Sequence, residues 1–323
     1  MHAGHNQYAP LPGVPALREA VAAHQRRHYG LEPDPLTEVQ VTFGATEGLA
    51  ASLLALVGAG DEVLALDPAY DSYAPIVELA GGRMRPIALE PPDWRVERIE
   101  PGPSARVLLL NSPHNPTGRV LDEDELELLA QACREHDLIA ITDEVYEHLV
   151  YDGRHVPLAT LPGMWERTLT VSSLGKTHSL TGWKVGWVSG PAELVARVRG
   201  VKQFLTFAGG TPLQHAAAVG LAIDPAPLAR ALRAKRDRLD AGLRAVGFET
   251  LPSAGTYFLN ATLGDEDAAS LCRSLPHEAG VAAIPLSAFS SSPALRSIVR
   301  FAFCKRDEVL DEAIERIRRW KCG

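Results

Sequence analysis

The chain has 323 residues, enough for an extensive hydrophobic core and for two domains. Its 46% hydrophobic and 22% charged residues are typical of a globular protein. The net charge is −8, and the two signs are interspersed along the chain. We therefore exclude nucleic acid and anionic membrane surfaces as main partners, because both attract basic proteins.

The cysteines and the start of the chain indicate a cellular compartment. No two of the four cysteines form a C-x-x-C pair, so neither a disulfide framework nor a metal site is predicted. The apolar patterns around Cys133 and Cys304 predict that both are small core residues. The start, Met1–Tyr8, is polar, and the longest apolar stretch, Gly48–Gly60, is too short to span a bilayer. These features predict a soluble protein of the reducing cytoplasm. The other two cysteines are Cys272 and Cys322.

Short apolar runs alternate with helical patterns through the first two thirds of the chain. The predicted strands are Val39–Phe43, Glu62–Leu66, Val107–Leu110, Leu138–Thr142, Thr168–Ser172 and Gly186–Ser189. The predicted helices are Thr46–Val57, Ser72–Ala80, Glu123–His136 and Pro191–Gln203. Several of the apolar runs do not alternate with polar residues, which suits strands covered on both faces. The pattern predicts an α/β fold with a mostly parallel central sheet sandwiched by helices.

The last third of the chain has a different pattern of predicted elements. Pro227 begins a long predicted helix with a leucine stripe, and Gly247 ends it. The stripe consists of Leu228, Leu232, Leu239 and Leu243. Shorter predicted elements follow, namely strands Glu249–Leu251, Thr256–Leu259, Val281–Ile284 and Ile298–Phe303 and helices Asp267–Leu275 and Asp307–Trp320. We place a domain change near Asp224–Pro225, which gives a large domain of residues 1–225 and a smaller C-terminal α+β domain of residues 226–323.

Small, polar or ionisable residues follow four of the predicted strands. They are Gly44-Ala45-Thr46, the segment 111–118 that contains Asn115, the segment 143–146 from Asp143 to Tyr146, and the segment 173–176 from Ser173 to Lys176. In open α/β sheets, ligands bind beyond the carboxyl ends of the strands. This convergence predicts a ligand site at one sheet edge.

Each of these groups has a functional interpretation and a purely structural one. Gly44–Thr46 at a helix start offers backbone N–H groups to a phosphate, with Ser173 and Lys184 beside it, or contains a simple threonine N-cap. Asp143 at a buried strand end needs a cationic partner, either a protonated ring nitrogen or a structural salt bridge. Lys176 forms a Schiff base if its amine is kept neutral, and is otherwise a solvated surface lysine.

The segment Ser173–Trp187 resembles the lysine motif of the fold-type I aminotransferases that depend on pyridoxal 5′-phosphate (PLP), the aspartate aminotransferase superfamily. It is most similar to the branch of kynurenine/glutamine, methionine and N-succinyldiaminopimelate aminotransferases. The resemblance runs from about Tyr8 to the C-terminus, with the motifs in the order of the family.

The resemblance implies a role for each matched residue. Lys176 forms the Schiff base with PLP and later moves a proton between the substrate and the cofactor. Asp143 keeps the pyridine nitrogen protonated. Tyr70 stacks on the ring; without the resemblance, it would be interpreted as an ordinary aromatic residue of the core. Asn115 and Tyr146 hydrogen-bond the ring oxygen. The implied phosphate ligands are Ala45, Thr46, Ser173, Lys184 and, from the neighbouring subunit of a homodimer with shared active sites, Tyr8.

Arg300 matches the arginine that binds the substrate α-carboxylate, with Asn115 beside it, because a planar guanidinium fits a planar carboxylate. The implied activity is ping-pong transfer of an amino group from an L-amino acid to a 2-oxo acid. The stretch Gln203–Gly210 lacks the arginine of dicarboxylate-specific relatives. We therefore expect neutral or aromatic side chains to be favoured, with an anionic substrate possible if an arginine comes from elsewhere.

Three other functions compete with amino transfer. A carbon–sulfur β-lyase would share the cofactor residues, and a non-catalytic PLP-binding paralogue would keep part of them. A ligand sensor like the aminotransferase-like modules of transcription regulators would need a DNA-binding domain, which the acidic sequence does not show. Family members usually carry a further segment before the Tyr8 motif, whereas here Met1 lies a few residues before it. Either the start is misassigned, the chain is a shortened form, or the protein lacks this segment; in the last case we expect substrate closure, dimer stability and activity to be affected.

Overall fold

A seven-stranded sheet forms the centre of the computed structural model, which describes residues 4–322. Its strands lie in the order β1-β7-β6-β5-β4-β2-β3. Strands β2 to β6 pair in parallel, and β7 pairs antiparallel with both β1 and β6. The mostly parallel sheet is therefore confirmed. The strands are β1 (Val39–Thr42), β2 (Glu62–Asp67), β3 (Arg83–Ala88), β4 (Ala105–Asn111), β5 (Ile139–Asp143), β6 (Thr168–Ser173) and β7 (Gly186–Ser189).

Helices cover both faces of this sheet. The helices of the chain are α1 (Pro15–Tyr29), α2 (Gly44–Leu56), α3 (Tyr73–Leu79), α4 (Glu123–Glu135), α5 (Leu174–Thr177), α6 (Ala192–Leu205), α7 (Thr211–Gly220), α8 (Ala226–Ala245), α9 (Ala268–Glu278) and α10 (Asp307–Cys322). Leu108 of β4 belongs to the same buried cluster as Leu129 of α4, whereas its neighbour Leu109 clusters with Leu53 of α2. Successive side chains of one strand thus enter two separate cores, which explains why the strands are apolar without alternation.

A second, antiparallel sheet follows in the last third, in the order β10-β11-β9-β8. Its strands are β8 (Glu249–Thr250), β9 (Phe258–Thr262), β10 (Ile284–Pro285) and β11 (Ile298–Ala302). Leu232, Leu239 and Leu243 of α8 are buried in the cluster that covers this sheet. The same cluster contains Tyr146, from the segment after β5. The domain boundary near residue 225 stays a prediction.

The elements α1, β3, α5 and α7 were not predicted from the sequence, and one cysteine was misplaced. β3 lies at the sheet edge, carries two arginines and Pro86, and is mostly solvent-facing, so it has no hydrophobic signature. Cys133 is buried as predicted, but the prediction of a buried Cys304 is wrong. Phe301 and Phe303 point inward, and the alternation beyond β11 turns Cys304 outward.

Among residues 4–322, no helix combines the length and the apolar composition that crossing a membrane requires.

Candidate active site

A cavity of about 420 Å³ opens where β1, β4, β5 and β6 end. Every site residue named from the sequence lines it, apart from Tyr8. These residues are Ala45, Thr46, Tyr70, Asn115, Asp143, Tyr146, Ser173, Lys176, Lys184 and Arg300. Groups separated by more than 250 positions therefore meet at one point, as expected for the carboxyl edge of such a sheet.

Lys176 lies at this point in the half-buried helix α5. Its Nζ donates a hydrogen bond to the hydroxyl of Tyr257 at 2.9 Å. The amine also lies 6.0 Å from the ring centre of Tyr146 and 5.6 Å from that of Tyr257. The interpretation of Lys176 as a fully solvated surface lysine is therefore wrong, because its amine is directed into the cavity between two phenols.

The first turn of α2 forms one end of the cavity. The helix begins at Gly44, so Thr46 lies inside the first turn and is not the N-cap. The N-cap is Phe43, whose side chain makes no capping hydrogen bond and whose backbone N–H donates to Glu47 Oε2, so the N–H groups of the first turn stay free of a side-chain cap. Lys184 Nζ lies 3.4 Å from Thr46 Oγ1, and the buried Ser173 lines the same end. Uncapped N–H groups, hydroxyls and an ammonium form a donor set suited to a phosphate.

Asp143 ends β5 and is fully enclosed. Its Oδ2 accepts a hydrogen bond from the Tyr73 hydroxyl at 2.7 Å. Burial raises the pKa of Asp143 to about 6, although hydrogen bonds from Tyr73 and the Val145 backbone and the charge of Lys176 act in the opposite direction. Among residues 4–322, no salt bridge includes Asp143, so the alternative of a structural ion pair has no support. A cationic nitrogen placed beside this carboxylate would complete the pair.

Arg300 of β11 reaches the cavity from the second sheet. Only 8% of the residue is exposed, and its Nη1 donates to Asn115 Oδ1 at 2.6 Å. The guanidinium carbon lies 4.0 Å from the ring centre of Phe258 and 4.3 Å from that of Phe289. Two aromatic rings thus hold the planar fork in one orientation, in which its remaining N–H groups can bind a carboxylate.

Sequence reasoning missed several residues of this site. Tyr73 binds Asp143, Tyr257 binds Lys176, and Phe258 and Phe289 enclose Arg300. Tyr73 lies three residues after Tyr70 in the motif that was recognised, so helical spacing was the available signal. Phe289 lies in an irregular segment and gave no signal.

Tyr8 does not enter this cavity. The residue is 82% exposed and packs edge-on against Phe207, with ring centres 5.5 Å apart. Its predicted contact with a neighbouring subunit stays a prediction.

The cavity offers backbone and side-chain donors at a helix start, a buried acid, an amine and a guanidinium. The model for aminotransferase class I and II matches residues 1–317. The chain belongs to this family. It is an enzyme that transfers amino groups between amino acids and 2-oxo acids, as the resemblance implied.

Named aminotransferases are similar to this chain over almost its whole length. The probable N-succinyldiaminopimelate aminotransferase DapC of Mycobacterium tuberculosis is 49% identical over 97% of this chain and 85% of its own. The methionine aminotransferase of Escherichia coli is 43% identical over 98% and 84%. Human kynurenine–oxoglutarate transaminase 1 is 35% identical over 98% and 85%.

Solved structures confirm the fold of this aminotransferase. The structure of the N-succinyldiaminopimelate aminotransferase from Mycobacterium tuberculosis superposes with a TM-score of 0.95 and covers 99% of this chain and 87% of its own. The methionine aminotransferase structure from Escherichia coli gives a TM-score of 0.94 over 98% and 87%. Together with the sequence identities, these matches place the chain in the branch of the family that its motifs indicated.

Proposed function

We propose that this aminotransferase binds pyridoxal 5′-phosphate on Lys176 and moves the amino group of a neutral or aromatic L-amino acid to a 2-oxo acid by a ping-pong mechanism. One observation carries the proposal. The Lys176 amine, the buried Asp143 carboxylate, the uncapped start of α2 and the Arg300 guanidinium line the same cavity. The donor set fits the phosphate, the basic ring nitrogen and the carbonyl carbon of this cofactor.

The residues of the site have separate roles in cofactor binding and in proton transfer. When bound, pyridoxal 5′-phosphate supplies an electron-withdrawing ring that stabilises negative charge at the substrate Cα. Lys176 would hold the cofactor, take the proton from Cα of the amino donor and, in the second half-reaction, place a proton on Cα of the new amino acid, with its amine positioned by Tyr257. Asp143 keeps a positive charge on the ring nitrogen, because an unpaired carboxylate at this depth is costly.

Other residues of the cavity orient the cofactor and the substrate. Lys184, Ser173 and the first turn of α2 bind the phosphate. Asn115 and Tyr146 bind the ring oxygen, and Tyr70 covers the ring. Arg300 binds the substrate carboxylate, so Cα is presented to Lys176.

The proposed preference for neutral or aromatic substrate side chains rests on the charges of the cavity lining. The only basic side chains among the residues that line the described cavity are Lys176, Lys184 and Arg300, and the proposal assigns each of them to the cofactor or the α-carboxylate. Phe258, Ile284 and Phe289 supply apolar surface. This composition favours a methionine-like or aromatic substrate. An N-succinyl substrate, as in the name of one relative, would need a cation from outside this lining.

A donor panel tests this function in single turnover. Enzyme loaded with the cofactor is mixed with methionine, phenylalanine, glutamine, glutamate and N-succinyldiaminopimelate, without a 2-oxo acid acceptor. We expect one equivalent of 2-oxo acid per site, loss of the visible cofactor absorbance and no ammonia, with the neutral donors fastest. Sustained release of pyruvate and ammonia from cystathionine would instead establish a β-lyase. Fastest turnover of the anionic donors would contradict the proposed preference.

We further propose a homodimer in which Tyr8 contacts the cofactor phosphate of the partner subunit. Tyr8 and Phe207 are both exposed and pack on each other, and the exposed Phe204 lies three residues before Phe207. These aromatic residues support the proposal, because a contiguous exposed apolar patch is typical of a protein–protein interface.

A further inference from the structure

Three histidine side chains meet outside the lining of the cavity described above. His24 and His28 lie one turn apart on α1, and His148 belongs to the segment after β5. Their donor nitrogens all lie within 4.8 Å of one another. His24 is buried, with 3% exposed, whereas His28 is exposed. The cluster therefore runs from the core to the surface, and a pocket lined by His28, His148 and Asp224 lies at its outer end.

The rings have the spacing of a shared metal ligand set. The ring centres are 4.7 Å apart for His24 and His28, 4.6 Å for His28 and His148, and 5.0 Å for His24 and His148. A zinc ion about 2.0–2.1 Å from one nitrogen of each of three imidazoles holds their ring centres about 5 Å apart. The Nε2 atoms of His24 and His148 are 2.7 Å apart, so they would separate by about 0.6 Å to admit the ion.

A buried carboxylate supplies compensating charge. Glu147 Oε2 lies 3.9 Å from the Nε2 atoms of both His24 and His148. Hydrogen bonds from Tyr29 and Ser172, each 2.6 Å long, fix the two carboxylate oxygens. The carboxylate faces the same Nε2 atoms as the proposed ion, so it lies close enough to offset part of the positive charge of a divalent metal.

We infer that His24, His28 and His148 bind one zinc ion, with Glu147 beside it and water at the open position. Neutral imidazoles with a carboxylate suit zinc and other late first-row divalent metals. The ion would join the end of α1 to the segment that carries Asp143 and Tyr146. No sequence pattern indicated this site, because His148 lies 124 positions from His24.

Zinc titration of the cofactor-loaded enzyme tests the inference. The protein carries no histidine tag, and Cys304→Ser and Cys322→Ser remove the exposed thiols as competing ligands. Zinc is titrated in competition with a chromophoric chelator, and bound metal is counted by mass spectrometry. We expect one zinc ion per chain. His28→Ala, at an exposed position that tolerates truncation, should weaken binding by more than about 100-fold, since loss of a ligand exceeds loss of an outer-shell partner.

His277→Ala, which removes an exposed histidine elsewhere, is the matched control and should leave the affinity unchanged. Zinc at 100 times its dissociation constant should raise the Tm of the control by about 4 °C and leave that of His28→Ala unchanged. A chain that binds no zinc, or an equal affinity in both variants, would overturn the inference. In that case the cluster is a hydrogen-bonded histidine pair without metal.

Discussion

The guanidinium of Arg300 is held between two aromatic rings and tied to Asn115, so its position is fixed before a substrate arrives. Each cation–π contact contributes about 0.5–2 kcal/mol when partly desolvated. A pre-oriented fork loses little entropy on binding a carboxylate, which is why we assign it to substrate recognition and not to stability.

Substitution of Arg300 should separate substrate binding from cofactor binding. We expect Arg300→Lys to raise the KM for both the amino acid and the 2-oxo acid by about 100-fold, or about 2.7 kcal/mol, since the bidentate geometry is lost. The affinity for pyridoxal 5′-phosphate should stay within a factor of about two, because this arginine is assigned to the substrate alone. Arg296→Ala, at an exposed arginine, is the control. Equal losses of both affinities would show that Arg300 is structural.

Asp143 should make the cofactor-free protein less stable at high pH. Its folded-state pKa of about 6 exceeds the ordinary value of 3.8, so the folded protein binds the proton more tightly than the unfolded chain. The free energy of unfolding therefore falls as the pH rises from the ordinary value of 3.8 to about 6. We expect Asp143→Asn to raise the free energy of unfolding by about 1–3 kcal/mol at pH 8 and by less at pH 5, measured in urea.

The same Asp143→Asn variant should transfer amino groups poorly, because it no longer holds charge on the ring nitrogen. If Asp143→Asn instead lowered the free energy of unfolding at pH 8, the Asp143 carboxylate would have a stabilising partner within the chain itself.

Sequence motifs indicated the residues proposed to act through their own chemistry, such as Lys176 and Asp143, and the structure places both in the cavity. They did not identify Tyr257 or Phe289, whose contribution is contact with another side chain. Such contacts depend on how β9 and the segment after β10 meet the first sheet. Local patterns carry no information about that packing.

At the level of elements, β7 and the start of α2 lie unusually close together. A Cβ on Gly186 would come within 2.7 Å of the Gly44 carbonyl carbon and 2.8 Å of the Ala45 nitrogen. Both of these are backbone atoms, so they cannot rotate away. Glycine at position 186 therefore lets the uncapped helix end approach the sheet edge where the phosphate is proposed to bind.

Gly186→Ala should displace the start of α2. We expect the affinity for pyridoxal 5′-phosphate, measured by absorbance titration, to fall at least about tenfold, since overpacking costs about 1–3 kcal/mol. Gly200→Ala on α6 is the control, because nothing lies within 4 Å of its added Cβ. Unchanged affinity in Gly186→Ala would remove α2 from the phosphate site.

Element boundaries show where sequence patterns succeed. The apolar strands β2, β4, β5 and β6 were placed within one or two residues, because burial on both faces leaves a continuous apolar run. Strand β10 is only two residues long and was misplaced by about three, and the polar edge strand β3 was not recognised. Short or exposed strands bury too little surface to leave a pattern.

At the scale of the whole molecule, the proposed dimer explains the exposed aromatic residues near Tyr8. We expect sedimentation velocity to show a dimer, and Phe204→Glu to shift it toward monomer and to weaken cofactor binding. Leu79→Glu, at another exposed apolar residue, is the control and should remain dimeric. A wild-type monomer with full cofactor affinity would contradict shared active sites.

The proposed function depends on Lys176 as the residue that holds the cofactor. Borohydride reduction of the cofactor-loaded enzyme, followed by peptide mass mapping, identifies the attached lysine directly. We expect the added mass on the peptide that contains Lys176, with none on Lys184 or Lys202, and no attachment in Lys176→Ala. Attachment to either of the other lysines, or undiminished attachment in Lys176→Ala, would contradict the account.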